Sequence, residues 1–360
     1  MTDRTARLRP LQALLQGVFL VAVPSFAAIG SSEPTMEPSL AQRLYVERAN
    51  RWLSENDDAK DVPKFAVSRP YAEYEAGSFL LIAASSAFNS LAVTTRIAAN
   101  LPRGVKLVVL ASGAIERATA KRRYRQYLTD DRLTVIDLGT ETGLWARDSL
   151  PIPVWMQDRR LGLVDARYYH GHEPDELLAQ AFRSPLLRHR YYFEGGNLLT
   201  DSEGHCFVVA NRNIASMPDS AFERYYGCRR LTRLEHVAGI GHVDERIKIV
   251  GGKRVLTDEP RYEQVLRDAG YEVTLLPRPM TSYGTYANAL LLNGTVYMPS
   301  YGEAGDAEAE ALYRELGFHV VPVPSTQLSS RGKGSVHCIT MVYPHVPEAE
   351  LLQRLRQSLR

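Results

Sequence analysis

Residues 78–138 begin with SFLLIAAS (78–85), a strand-like apolar run, and then alternate in character. NSLAVTTRIAANL (89–101) has helical spacing, VKLVVLAS (105–112) is strand-like, AIERATAKRRYRQYL (114–128) is helical, and RLTVIDLG (132–139) is again a strand. Short apolar runs between amphipathic helices argue for an α/β fold. The same rhythm continues downstream. EPDELLAQAFRSPLL (173–187) reads as a helix before EGGNLLTD (194–201) and HCFVVAN (205–211), and EPRYEQVLRDAG (259–270) as a helix before YEVTLLP, NALLLNG and TVYMPS. DAEAEALYRELG (306–317) leads into HVVPV and then into SVHCITMVYP (335–344), read as a strand entered just after a glycine-rich turn. Each unit takes roughly 50–60 residues, so about five fit in one domain. Upstream, SLAQRLYVERANRWLSEN (39–56) reads as a helix capped by Ser39.

The chain has 360 residues, 45% hydrophobic and 23% charged, as expected of a globular protein. Its formal net charge of +2 lacks the basic excess that neutralises phosphates, which excludes a nucleic-acid binder. The first 28 residues differ from the rest. MTDRTARLRP is basic, and an uncharged apolar run follows it to a small-residue cleavage site after Ala28. This pattern predicts a secretory signal, with a retained anchor as the alternative. The expected organisation is a signal over 1–28, a partly helical extension over 29–68 and a catalytic domain over 69–360, in a secreted or periplasmic protein without stable membrane association once the signal is removed. Export makes the three cysteines informative: Cys206 and Cys228 could pair, which would leave Cys338 over.

Four polar segments interrupt the apolar pattern. WARDSLP carries Asp148 beside Trp145 and Arg147, FEGGN sets Glu194 before two glycines, GIGHVDE spaces His242 and Asp244 two apart, and GSVHCIT holds Cys338. Singly, each has a structural explanation, such as an ion pair, a capped turn or a buried thiol. Together they supply a thiol, an imidazole and three carboxylates, the parts of a covalent site. Carboxylates raise a thiol's pKa, so an ordinary cysteine hydrolase would avoid them. The combination makes sense when the substrate is a guanidinium, whose planar N–H donors match carboxylates and whose charge offsets theirs. The same residue types bind zinc, but no CxxC or HExxH spacing occurs, and neither metal nor cofactor is expected.

These motifs resemble, in order, those of the guanidino-group-modifying enzymes (penteins), in the branch of agmatine deiminases and bacterial peptidylarginine deiminases. The resemblance runs over about residues 68–345 and includes RPYAEYEAGSFLLIAAS (69–85) and SYGTYANALLLNGTVYMPSYG (282–302). It implies a five-bladed α/β propeller of pseudo-fivefold symmetry with the site at its centre. It also implies roles: Cys338 as nucleophile, Asp148 and Asp244 as guanidinium ligands, His242 as acid and then base, and Glu194 orienting His242 or touching substrate. Asn288 matches an asparagine near the substrate, and Trp145 and Arg147 join the substrate-binding set. His337 alternates to the other face of the expected strand and is not the base.

Departures from the family patterns divide the substrate reading. The Glu of EGGN is similar to that of the small-molecule enzymes, whereas the GGNLLTD that follows it resembles the secreted peptidylarginine type. Where that type carries two arginines that clamp a carboxylate, this chain places His170 and His172. Export favours peptidyl or protein arginine, giving citrulline, over agmatine, giving N-carbamoylputrescine. Free arginine is a further alternative. Non-catalytic penteins exist too, but they lack the cysteine and the guanidinium carboxylates.

Overall fold

The computed structural model describes residues 39–56, 66–139, 143–168 and 174–346. His170, His172, the signal-like segment and the C-terminal tail lie outside them. After α1 (Leu40–Asn56) and β1 (Val67–Pro70), three parallel strands follow: β2 (Gly77–Ala83), β3 (Lys106–Ala111) and β4 (Leu133–Asp137), linked by α2 (Ser90–Ala99) and α3 (Ala114–Tyr124). From here one unit recurs: a first strand, an antiparallel return, a helical crossover and a strand parallel to the second. Parallel neighbours need such a crossover.

The second unit follows the short helix α4 (Ala146–Ser149). It is β5 (Ile152–Met156), β6 (Leu161–Arg167), α5 (Asp175–Ala181) and β7 (Leu186–Tyr192), with β1 added along β5. The third is β8 (Leu199–Thr200), β9 (His205–Val209), α6 (Asp219–Ala221) with a following π turn, and β10 (Arg230–Leu234). The fourth is β11 (Ile247–Gly251), β12 (Arg254–Thr257), α7 (Glu263–Asp268) and β13 (Glu272–Leu275). The fifth is β14 (Leu290–Leu292), β15 (Thr295–Ser300), α8 (Gly305–Glu315) and β16 (His319–Pro324). Finally α9 (Thr326–Gly332) leads to β17 (Met341–Pro344), which pairs antiparallel with β2 in the register Met341↔Leu81, Val342↔Leu80. The last strand thus supplies the first unit's missing member and closes the ring.

Apolar residues fill the five junctions between successive units. Phe79 and Leu81 meet Leu161, Leu163 and Phe182 at the first, and Leu290, Leu292 and Val323 meet Leu80 and Val109 where the ring closes. The other three junctions are packed in the same way. Strands buried on both faces read as continuous apolar runs, which is why β2, β3 and β9 stand out in the sequence. The fold is the expected pseudo-fivefold α/β propeller.

Three details differ from the sequence reading. The helix expected over 173–187 ends at Ala181, because Pro185 disfavours helical geometry at Ser184 and the chain turns into β7. The β5–β6 hairpin is not visible in the sequence pattern, since Pro151 and Pro153 break its apolar run. Cys338 lies in a turn ahead of β17 rather than in a strand.

Helix α1 forms as expected. Gln42 N donates to Ser39 Oγ at 3.2 Å and Ser39 N donates to Gln42 Oε1 at 2.8 Å, a reciprocal cap. It docks through fully buried Asn50, whose amide donates to the carbonyls of Tyr192 and Asn213 and accepts from Tyr192 N. Cys206 and Cys228 form a disulfide and Cys338 is a free, buried thiol.

Candidate active site

The site follows from the repeat. In four units and at the ring closure, the segment just ahead of the first strand turns toward the centre. These segments hold Asp148 before β5, Glu194 before β8, His242 and Asp244 before β11, Asn288 before β14, and Cys338 before β17. One polar position therefore recurs around the ring, and the five copies meet there.

Glycine makes the meeting possible. A Cβ on Gly195 would lie 2.2 Å from the Arg147 carbonyl oxygen, and one on Gly196 would lie 2.8 Å from both Asp148 Oδ1 and His242 Nδ1. Gly196 N instead donates to Asp148 Oδ1 at 2.9 Å. His242 Nε2 lies 3.0 Å from Glu194 Oε2, while its Nδ1 makes no hydrogen bond and sits 3.6 Å from Asp148 Oδ1. Cys338 Sγ is 3.7 Å from Asp244 Oδ2 and 3.2 Å from Asn288 Nδ2. A cavity of about 490 Å³ opens above these groups, lined at its base by Trp145, Asp148, Glu194, His242 and Cys338. Residues from α1 complete the wall, among them Arg43, Leu44 and Glu47. A Cβ on Gly334 would lie 2.3 Å from the Trp145 ring, so the glycines before Cys338 seat that loop against the indole.

The surroundings of Cys338 resist ionisation of its thiol. Burial pushes the Cys338 thiol well above its ordinary value, and Asp244 and Asp148 push it further. Burial raises Asp148 to about 7, with His242 opposing and Glu194 and Asp244 adding to the rise. His242 is driven well above its usual value: burial opposes the charge, but Asp148 and Glu194 outweigh it. Burial also opposes the charge of Asp244, yet its hydrogen bond to His337 holds the carboxyl below its usual range. The resting site is a thiol beside an imidazolium and carboxylates. A guanidinium placed among them would offset their charge and favour the thiolate.

Three expected substrate contacts do not line the cavity; Asp244 is one of them, fully buried between Cys338 and His337. Arg147 does not line the cavity; its guanidinium turns to Glu73, 3.1 Å away. Asn288 is fully buried and grips the nucleophile's segment, its Oδ1 accepting from His337 N at 3.1 Å and its Nδ2 donating to the Asp244 carbonyl at 3.1 Å. His337 does point away from the cavity, but from a turn and not by strand alternation. The sequence reading missed Glu73, Lys248, Tyr168 and the α1 wall. Glu73 sits in PYAEYE, a segment that carries the family likeness but no role of its own, and nothing local separates it from Glu75 two residues on. Among the described residues no group of three or more His, Cys, Asp or Glu is arranged to hold a metal ion.

A thiol, an imidazolium and paired carboxylates at the centre of a fivefold α/β ring define a guanidino-group-modifying enzyme of the pentein class. Residues 84–344 match the family described as Porphyromonas-type peptidyl-arginine deiminase, and the chain belongs to that family. It is similar to the agmatine deiminase of Stutzerimonas stutzeri, with 40% identity over 295 residues, covering 61% of this chain and 79% of that one. In fold it is similar to an agmatine deiminase of C. jejuni with substrate bound, with a TM-score of 0.66 at 15% identity, over 77% of this chain and 96% of that one. An agmatine deiminase of Enterococcus faecalis gives 0.64 at 16%, over 77% and 95%. The protein is a deiminase, a hydrolase of C–N bonds in linear amidines.

Proposed function

We propose that the protein hydrolyses agmatine to N-carbamoylputrescine and ammonia. The observation that carries this reading is the 40% identity to an agmatine deiminase across most of that enzyme's length. It reverses the order reached from sequence, where peptidyl arginine stood first. The guanidinium enters the base of the cavity against Asp148, next to Asp244, which is buried beside Cys338 and whose Oδ1 makes no hydrogen bond within the protein. Its charge favours the Cys338 thiolate, which attacks the guanidinium carbon. His242 protonates the departing nitrogen, ammonia leaves, and a thiouronium remains on sulfur. Neutral His242 then takes a proton from water, which attacks the same carbon and displaces the thiolate. Glu194, 3.0 Å from His242 Nε2, orients the ring for both steps.

A second reading, arginine with a free carboxylate, is favoured by the mouth of the cavity. Arg43, Arg212 and Lys333 line it, against one carboxylate, Glu47, which Arg51 binds at 2.7 Å. We also propose export. The signal-like first 28 residues and the Cys206–Cys228 disulfide support it, since disulfides persist in oxidising compartments. Cell fractionation with N-terminal sequencing checks this; the protein found in the cytosol with an intact N-terminus would end it. The substrate is decided by incubating the protein with agmatine, free arginine and an arginine-containing peptide, measuring ammonia and ureido product. Turnover of agmatine alone or foremost supports the main reading, and preference for arginine installs the second. No turnover of any, with wild type equal to Cys338→Ala, would sink the deiminase.

A further inference from the structure

Behind Asp244, outside the lining of the cavity, a buried chain of charges continues through residues with no role in the steps above. It starts at Asp244 Oδ2, 2.6 Å from His337 Nδ1. The other ring nitrogen of His337 meets Glu73 Oε2 in a short contact. Glu73 then accepts from Lys248 Nζ at 3.1 Å, Arg147 Nη2 at 3.1 Å and Leu291 N at 2.7 Å. Asp244, His337 and Lys248 are all essentially inaccessible to water.

The geometry sets the state of His337. A neutral imidazole has one donor and one acceptor nitrogen, so it can satisfy only one of two carboxylate oxygens. Here both nitrogens face carboxylates that are held ionised, so both ring nitrogens have to donate. A buried carboxylate that loses its cationic partner is costly and takes up a proton instead. The carboxylate at stake is Asp244, whose Oδ1 makes no hydrogen bond and whose Oδ2 approaches Cys338 Sγ.

We propose that His337 and Glu73 are positioning residues of the deimination. His337, held by Glu73 at its far nitrogen, keeps Asp244 ionised and turned so that Oδ1 meets the guanidinium. Neither touches substrate; both act through Asp244. This rests on the deiminase reading. The titratable groups surrounding the chain are His242, Asp148, Glu245, Lys248 and Arg147 about Asp244, the Cys338 thiol beside it, and Lys248, Arg147 and Tyr71 about Glu73. Burial opposes the charge of Glu73, but His337 and Lys248 hold it well below the usual carboxylate range, so Glu73 stays anionic across neutral pH.

The test is steady-state kinetics of the full chain from pH 5 to 9, for wild type, His337→Gln and Glu73→Gln, with circular dichroism on each. Removing the imidazolium leaves burial to raise Asp244, so the variant must lose guanidine binding as pH falls. We expect KM to rise about tenfold or more at pH 6 in His337→Gln, to recover toward wild type near pH 9, and kcat to change less. Glu73→Gln should show the same trend with smaller amplitude, because the amide still accepts one hydrogen bond. Guanidine binding is also measured by calorimetry with each substitution in a Cys338→Ala background, so inactive wild type would sink the deiminase reading while binding still tests the chain. A KM raised equally at all pH values, or a fall in kcat with unchanged KM, overturns the proposal. If His337→Gln does not fold, Glu73→Gln decides; if neither folds, the chain is structural and the proposal falls.

Discussion

The base and the mouth of the cavity are built from different materials. The base is rich in carboxylates, largely buried and assembled from equivalent segments of the repeat: Asp148, Glu194 and Cys338, with Asp244 buried beside them, each precede the first strand of a blade or its equivalent. The mouth is more exposed, carries Arg43, Arg212 and Lys333, and takes one wall from α1, which precedes the family-matched region. Buried charges have little screening, so the base governs whether chemistry occurs. Exposed charges are worth far less each, so the mouth adjusts which guanidine is preferred.

Cys338→Ala tests that division most severely. Loss of the nucleophile should lower kcat by at least about a thousandfold while guanidine binding persists. Residual turnover near the wild-type rate, read as ammonia release, would show that the base does not carry the chemistry. Asp148→Asn comes next. Losing one charge-assisted contact should raise KM for any guanidine by roughly 10–100-fold. In the wild type, Asp148 must be ionised to hold the cation, and burial raises it to about 7. kcat/KM should therefore fall as pH drops through that value, whereas the limb in kcat should lie lower because bound guanidinium favours the carboxylate. A kcat/KM profile flat from pH 6 to 8 would remove Asp148 from this role. The same electrostatics predict that a cationic haloacetamidine labels Cys338 faster at neutral pH than a neutral haloacetamide of equal intrinsic reactivity.

Predictions for the mouth are smaller. Asn50→Ala removes the hydrogen bonds that dock α1 to Tyr192 and Asn213. It should loosen that wall, raising KM by about tenfold with kcat within about twofold, and expose α1 to limited proteolysis. Arg43→Glu should shift the ratio of kcat/KM for agmatine over arginine upward by about two- to fivefold, the scale of one exposed charge pair. A larger change in kcat than in this ratio would mean that α1 reaches into the chemistry and that the contrast between the two regions is false.

Legibility divided along nearly the same line. The base could be read because its residues sit in short motifs flanked by glycine or proline, in a fixed order, and because a thiol among carboxylates makes chemical sense only with a cationic substrate. The repeat could be read because both-face burial turns β2, β3 and β9 into uninterrupted apolar runs. The β5–β6 hairpin could not, since its prolines hide it. Arg147 was placed with the substrate beside Asp148 in its motif and Asn288 by the family resemblance; the fold turns one toward Glu73 and the other onto the backbone beside Cys338. Glu73 and His337 were passed over because neither lies at a strand end facing the pocket.

The sequence by itself determined the α/β class, the guanidino chemistry and the candidate thiol and imidazole, Cys338 and His242, because these depend on residue type and local pattern. It also determined α1 and its cap, a local matter of hydrogen bonds three residues apart. Only the tertiary structure decided that α1 walls the cavity, that Asp244 is held from behind by His337 and Glu73, and which side of the ring Arg147 serves. Those facts depend on pairs such as His337 with Glu73 and Asn50 with Tyr192, far apart along the chain. Closure of the ring by β17 on β2 brings the first of these pairs together, and no local pattern encodes which distant side chains it will join.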